Sequence, residues 1–318
     1  MFLSLLSFPS PALLLPLYHP PPPAVDFKPL KLLPSQADSP PAKRAKKKAS
    51  TEPEASPKVT PFKLLSWNTG GIDEPDAVSR AEEIASIVME ENPDGIMLQE
   101  VTPETDIMFR GRFKANGYAV YDGGRGTGPY YTMTAVREGH GIEHEVIGYD
   151  AGSDMGRNLS QVSVDAGGRK VVLLNTHLES GAAAARTRVE QAEQALALLI
   201  SYPTDSSALA IFGGDTNLRE TEVTKKPLKQ LIAQVSDAWL AGCGASDKSN
   251  KYTWDLNRNH NAIKYMGFQG NPGIKARYDR IFFHSASKAC EAFTLLGTEP
   301  MAEGYYPSDH FGICCTLK

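Results

Sequence analysis

The chain has 318 residues, with 33 Lys and Arg against 37 Asp and Glu, a formal net charge of −4 with neutral histidines. That balance argues against a broad basic face built to grip duplex DNA. No apolar run reaches the roughly 20 residues of a membrane span, and Cys243, Cys290, Cys314 and Cys315 lack zinc-ligand spacing and read as reduced thiols.

Residues 1–61 hold 14 of the 23 prolines, including Pro20 to Pro23, and lack sustained periodicity. Such a stretch is expected to be a disordered or extended tail. Its start, Met1 to Leu17, is leucine-rich, but it has no basic n-region and is broken by Pro9, Pro11 and Pro16, which argues against a signal peptide. The cluster Lys43-Arg44-Ala45-Lys46-Lys47-Lys48 reads as an address for the nuclear import machinery and predicts a nuclear protein. Residues 1–58 carry eight Lys and Arg against four Asp and Glu, so the remainder is acidic at −8.

A folded domain is expected from 62 to 318. Phe62 to Trp67 reads as an apolar strand that delivers Asn68 to a Gly70-Gly71 turn. Ser79 to Met89 has helical spacing, with acidic residues placed in its first turn. Gly95 to Leu98 is a short strand after the breaker Asn92-Pro93-Asp94, and it puts Glu100 at a strand tip. Short β runs follow at 118–121, 131–136, 143–148 and 161–164, then Val171 to Thr176, which ends at His177. Arg186 to Ile200 is a second helix, with Val189, Ala192, Leu196 and Leu199 at helical intervals. The apolar run Ala208 to Phe212 leads into Gly213-Gly214-Asp215-Thr216-Asn217. Arg277-Tyr278-Asp279-Arg280 and Ser308-Asp309-His310 come last, before a terminal strand in which Cys314 and Cys315 point to opposite faces.

Polar groups at the tips of several apolar strands are hard to explain by packing, and their types suit water attack on a phosphodiester. Magnesium prefers carboxylate and water oxygens, so Glu100, with Asp309 close by, is the expected metal site. Asp215 fits the base or the acceptor that orients the attacking water. Asn217 and Asn68 can donate to phosphate oxygens without adding charge. His310 can stabilise charge building on the phosphate, with Asp279 as its partner carboxylate.

In this order, Ser66-Trp67-Asn68, Leu98-Gln99-Glu100, Asn175-Thr176-His177-Leu178-Glu179-Ser180, Gly214-Asp215-Thr216-Asn217 and Ser308-Asp309-His310 resemble the endonuclease/exonuclease/phosphatase superfamily. Gly156-Arg157-Asn158-Leu159, Gly213 to Arg219, Tyr252-Thr253-Trp254-Asp255, Arg277 to Arg280 and Tyr306 to Gly312 are similar to its tyrosyl-DNA phosphodiesterase 2 branch. The resemblance implies a four-layered α/β sandwich of two packed β-sheets flanked by helices. It implies a magnesium- or manganese-dependent phosphodiesterase, acting as a monomer, that frees DNA 5′ ends from a covalently attached topoisomerase tyrosine and leaves a 5′-phosphate for double-strand break repair. Carried over by position, Asn68, Glu100, Asp215 and His310 form the catalytic quartet, supported by Asn217, Asp309 and Asp279. Substrate contacts fall to Asn158, His177, Ser180, Arg219 and Trp254, with Tyr130 facing the adducted side. One departure is Thr69-Gly70-Gly71, where the family has a carboxylate at the position of Gly70, so metal preference is open. The segment from Asn257 to Lys275 does not align with the family.

Two other readings share parts of this pattern. An abasic-site endonuclease or an RNA phosphodiesterase would use the same catalytic set with a different substrate wall, and Leu218-Arg219 and Thr253-Trp254-Asp255 favour the tyrosyl-DNA reading. A nuclear adaptor lacking catalysis has only Gly70 in its favour.

Overall fold

Alternation of side chains along the central strands sorts the molecule into layers. The computed structural model describes residues 60–72, 76–126, 128–205, 208–244, 246, 248–264 and 273–318, all within the unit Ser56–Lys318. Residues 1–59 of the expected tail, with its Lys43 to Lys48 cluster, lie outside the described residues. In chain order the elements are β1 (Phe62–Asn68), α1 (Ala77–Glu91), β2 (Gly95–Val101), α2 (Pro103–Ala115), β3 (Tyr118–Gly123), β4 (Tyr131–Arg137), β5 (His140–Gly148), β6 (Asn158–Asp165), β7 (Lys170–His177), α3 (Ala185–Ser201), β8 (Ala208–Asp215), α4 (Glu220–Val223), α5 (Leu228–Ile232), β9 (Ser236–Asp237), α6 (Ala238–Gly242), β10 (Trp254–Asp255), α7 (Asn261–Lys264), β11 (Lys275–Ala276), β12 (Asp279–His284), β13 (Cys290–Leu296) and β14 (Gly312–Leu317).

Two six-stranded sheets result, ordered β13-β14-β1-β2-β4-β3 and β5-β6-β7-β8-β12-β9, with β10-β11 as a separate pair. On β1, Phe62 and Leu64 enter the core between the sheets, whereas Leu65 and Trp67 face α1 and α2. On β7, Val171 and Leu173 face inward and Val172 and Leu174 pack against α3. Period-2 patterning with apolar residues on both faces is what a sheet covered on each side requires. The order is therefore helix, sheet, sheet, helix, the four-layered α/β sandwich expected from the sequence. Among the described residues no helix is long and apolar enough to cross a membrane.

Two local differences have physical causes. The first helix starts at Ala77, so Glu82 and Glu83 fall in its second turn and no acidic residue stands in the first. Helix α2 was not foreseen, yet its start is written in the chain: Thr102 accepts from the Thr105 N–H, Thr105 Oγ1 accepts from the Thr102 N–H, and Pro103 opens the helix. Cys315 faces the inter-sheet core while the Cys314 thiol donates to Glu91, as alternation predicts.

Candidate active site

Five strands deliver polar side chains to one end of the sandwich. β1 and β2 run parallel and pair Asn68 with Gln99, while β7 and β8 run parallel in the other sheet and pair His177 with Asp215. Asp279 lies opposite Asp215 across the β8–β12 ladder. Inward positions that hold leucine and isoleucine lower in these strands hold Asn68, His177 and Asp215 at the tips.

Glu100 is placed by a bulge rather than by a plain strand end. Leu98 pairs with Met133 and Val101 with Tyr131, so Gln99 and Glu100 share one partner position, and Glu100 takes a left-handed backbone at φ 57°. Such a bulge re-aims a side chain, and an uncommon backbone at a non-glycine residue is a cost retained where it serves a site. Directly beneath, Gln99 donates to Asn175 Oδ1 at 2.9 Å, and Asn175 donates in turn to the carbonyls of Leu98 and Met133. This buried amide pair ties the two sheets together under the catalytic groups.

Asn68 Nδ2 donates to Glu100 Oε1 at 3.1 Å and to Asp215 Oδ2 at 2.9 Å. Asp215 Oδ2 also lies 3.2 Å from His177 Nε2 and 3.9 Å from His310 Nε2. Burial works to raise the Asp215 carboxyl, but the adjacent His177 and His310 rings outweigh it and hold the group well below the usual carboxylate range. His310 Nδ1 sits 2.7 Å from Asp279 Oδ2. Burial disfavours its charge, but Asp279, Asp309 and Asp215 together hold the imidazolium well above the ordinary histidine value. His177 differs: burial and the Arg157 guanidinium push its pKa down. Arg157 Nη1 donates to His177 Nδ1 at 2.7 Å, which leaves the ring proton on Nε2, facing Asp215.

The donor set suits a hard cation. Burial, then the Asp309 carboxylate, raises Glu100 to about 7, a penalty that a divalent ion between two carboxylates would relieve. Asp215, Asp279 and His310 also bring ligand atoms within 4.8 Å of one another. An imidazolium has no lone pair to offer, so that trio fits a charged dyad beside an acceptor better than a metal site.

The remaining expected residues fall in two groups. Asn217, at φ 50°, gives its backbone N–H to Asp215 Oδ1 and one amide hydrogen to the Leu178 carbonyl. Asp309 Oδ2 accepts from the Trp254 indole at 3.1 Å, so the tryptophan, packed against Tyr278, orients an acidic group. Arg219 is exposed at the start of α4. On the other flank, the Arg157 guanidinium lies 4.9 Å from the Tyr130 ring centre, and Tyr130 lies 6.0 Å from the His177 ring. Asn158 holds the Gly123 carbonyl, and Ser180 donates to Met155 Sδ beside Arg157.

Sequence reasoning missed the residues that hold these loops. Arg80, 1% exposed, donates to the carbonyls of Thr69, Gly70 and Pro307, joining the loop after Asn68 to the loop before Asp309. Asn259 donates to the Ser308 carbonyl, and Asn261 makes a paired contact with the Tyr306 backbone. Both lie in the Asn- and Gly-rich segment from Asn257, of which 265–272 lie outside the described residues. Arg157 stood inside a quoted motif; its signal was its place next to Asn158. Gly70 is left-handed at φ 57°, a backbone that favours glycine, and Gly71 is sterically required, because a Cβ there would stand 2.3 Å from the Glu100 carbonyl oxygen.

Comparison with known proteins gives a consistent set of relatives. The profile of the Endonuclease/Exonuclease/phosphatase family matches residues 65–310. A Bos taurus protein named tyrosyl-DNA phosphodiesterase 2 is 35% identical over 263 residues, covering 80% of this chain and 67% of that protein. The crystal structure of truncated Caenorhabditis elegans TDP2 superposes with a TM-score of 0.69 at 33% identity, covering 81% of this chain and 97% of that one. The D. rerio TDP2 structure complexed with single strand DNA product gives 0.70 at 30% identity, covering 81% and 99%.

Proposed function

Since the chain belongs to the tyrosyl-DNA phosphodiesterase 2 family of the endonuclease/exonuclease/phosphatase superfamily, we propose that it hydrolyses the bond between a topoisomerase tyrosine and the 5′ phosphate of a broken DNA end, leaving a 5′-phosphate in double-strand break repair. The observation that carries this reading is the joining of Asn68, Glu100, Asp215 and His310, from both sheets, into one cluster of contacts, with Asp279 behind His310.

Each residue then has a task. Asp215, held charged, accepts a hydrogen bond from the attacking water and orients it at phosphorus. So acidic a carboxyl is a poor base for free water; it takes the proton as the new O–P bond forms and that oxygen becomes acidic. The P–O bond to tyrosine breaks on the opposite side, and the phenolate leaves readily, its ordinary pKa being about 10. His310, kept charged by Asp279, faces the phosphate oxygens on which negative charge grows, whereas the Asn68 amide, expected to donate to phosphate, spends both hydrogens on Glu100 and Asp215 and holds those carboxylates in place. Glu100 and Asp309 would hold magnesium or manganese, which when bound neutralises phosphate charge. Tyr130 and Arg157 offer an aromatic and cationic surface to the tyrosine side, and Arg219 and Trp254 face the DNA strand. We place the monomeric protein in the nucleus on the strength of Lys43 to Lys48, and replacing that cluster with alanines is expected to abolish nuclear accumulation of a fluorescent fusion.

The deciding experiment is hydrolysis of an oligonucleotide bearing a 5′-phosphotyrosyl end, with magnesium, by the wild type and by Asp215→Asn. Release of a 5′-phosphate by the wild type alone is expected. Failure on this substrate, with turnover of an abasic-site duplex or an RNA, would transfer the same catalytic set to one of those substrates.

A further inference from the structure

At the end of the sandwich away from the catalytic tips, the sheets part around a cavity of about 330 Å³. Phe62, Val164 and Val171, all members of the inter-sheet core, supply apolar walls. Six strand steps of ~3.3 Å along β7 from Val171 put this cavity roughly 20 Å from His177, so it is not part of the catalytic site.

Arg169, just before β7, also lines the cavity. Only 7% of the arginine is exposed. Nη2 donates to the Ala208 carbonyl at 3.3 Å, while Nε and Nη1 are buried with no hydrogen-bond partner. Burial lowers its pKa. A guanidinium cannot escape by losing its proton, so an unpaired one in an apolar cavity calls for an anion.

The acidic groups of the lining limit which anion fits. Asp94 accepts from the Lys63 N–H and Asp165 from the Gly168 N–H, and Asp165 and Glu138 are exposed. These carboxylates repel a dianion or a polyanion, while one carboxylate head can reach Arg169 with its body on the apolar walls. We propose that the cavity is a binding site for a small monocarboxylate with an apolar body, paired with Arg169 and packed on Phe62, Val164 and Val171. It is independent of the catalytic reading.

Isothermal titration of the full chain with sodium hexanoate tests this, with hexanol and inorganic phosphate as controls. Hexanoate is expected to bind with a millimolar Kd, and each control at least about tenfold more weakly, because a charge-assisted pair carries the difference. Arg169→Gln should weaken hexanoate by at least about tenfold while leaving hydrolysis of the phosphotyrosyl oligonucleotide unchanged. Gly139→Leu is a second variant, because Gly139 lines the same cavity and a Cβ there meets Val164 at an ordinary 3.5 Å. It should block hexanoate by filling the mouth, even if Arg169→Gln fails to fold. Absence of hexanoate binding, equal binding of hexanol or phosphate, or unchanged affinity in the folded variants would each overturn the proposal.

Discussion

Asp215 and His310 show how one neighbourhood sets opposite charges on two groups 3.9 Å apart. The histidine rings hold the carboxyl ionised, and the surrounding carboxylates hold His310 protonated, so the acceptor and the donor are both ready before substrate arrives. Asp215→Asn and His310→Ala are each expected to lower turnover of the phosphotyrosyl oligonucleotide by at least about 100-fold, with circular dichroism unchanged. Arg80 acts through other residues. Its three contacts fix the Asn68 loop against the Asp309–His310 loop, so Arg80→Met should lower kcat by about tenfold or more with KM little altered, and Arg80→Lys should recover part of the loss. An equal rise in KM at unchanged kcat would assign Arg80 to substrate binding instead. Glu100, His177 and Asp215 were legible in the chain because each ends an apolar run, and Asp279, Asp309 and His310 because each stands just before one. Arg80 was not, because a lone arginine in an amphipathic helix reads as a solvated face until the carbonyls it meets are known.

At the scale of elements, geometry is set by a bulge, a cap and a close approach. The β2 bulge turns Glu100 into the site, and the Thr102–Thr105 capping box starts α2 immediately after it. Thr102→Ala should cost about 1 kcal/mol, seen as a fall in Tm of roughly 2–4 °C for a domain of this size. Gly214 has φ 122°, and a Cβ there would stand 2.1 Å from the Thr176 carbonyl oxygen and 3.0 Å from Gln99 Nε2. Gly214→Ala must therefore push β8 off β7 and disturb the Gln99–Asn175 tie. A destabilisation of at least about 2 kcal/mol by urea unfolding is expected, together with loss of activity. Native-like stability would show that the two strands are freer to separate than their ladder implies. The Glu100 bulge could not be read from the sequence, since periodicity places a side chain on a face but does not reveal an extra residue in one strand of a pair.

For the whole molecule, the site lies where the two sheets meet, and a ligand held between Glu100 and Asp309 would tie β2 to the loop that precedes β14. Magnesium is expected to raise Tm by a few degrees and EDTA to reverse the shift, because a ligand bound only to the folded state stabilises it by mass action. In Glu100→Ala the magnesium shift should vanish, and its persistence would place the ion elsewhere. The sequence by itself determined the strands, the helices and the residue types of the site, while the layering came only as what its family motifs implied. Alternation on β1, β7 and β8 fixes which side chains meet between the sheets, and those strands end in Asn68, His177 and Asp215. Only the tertiary structure decided how Glu100 is aimed, which histidine is charged, and that Arg80, Arg157, Asn259 and Asn261 fasten the loops. These depend on contacts between segments up to 227 residues apart, as from Arg80 to Pro307. Local periodicity carries information over a few residues, whereas the charge on a buried ring and the partner of a buried guanidinium are set by whatever the fold brings beside them.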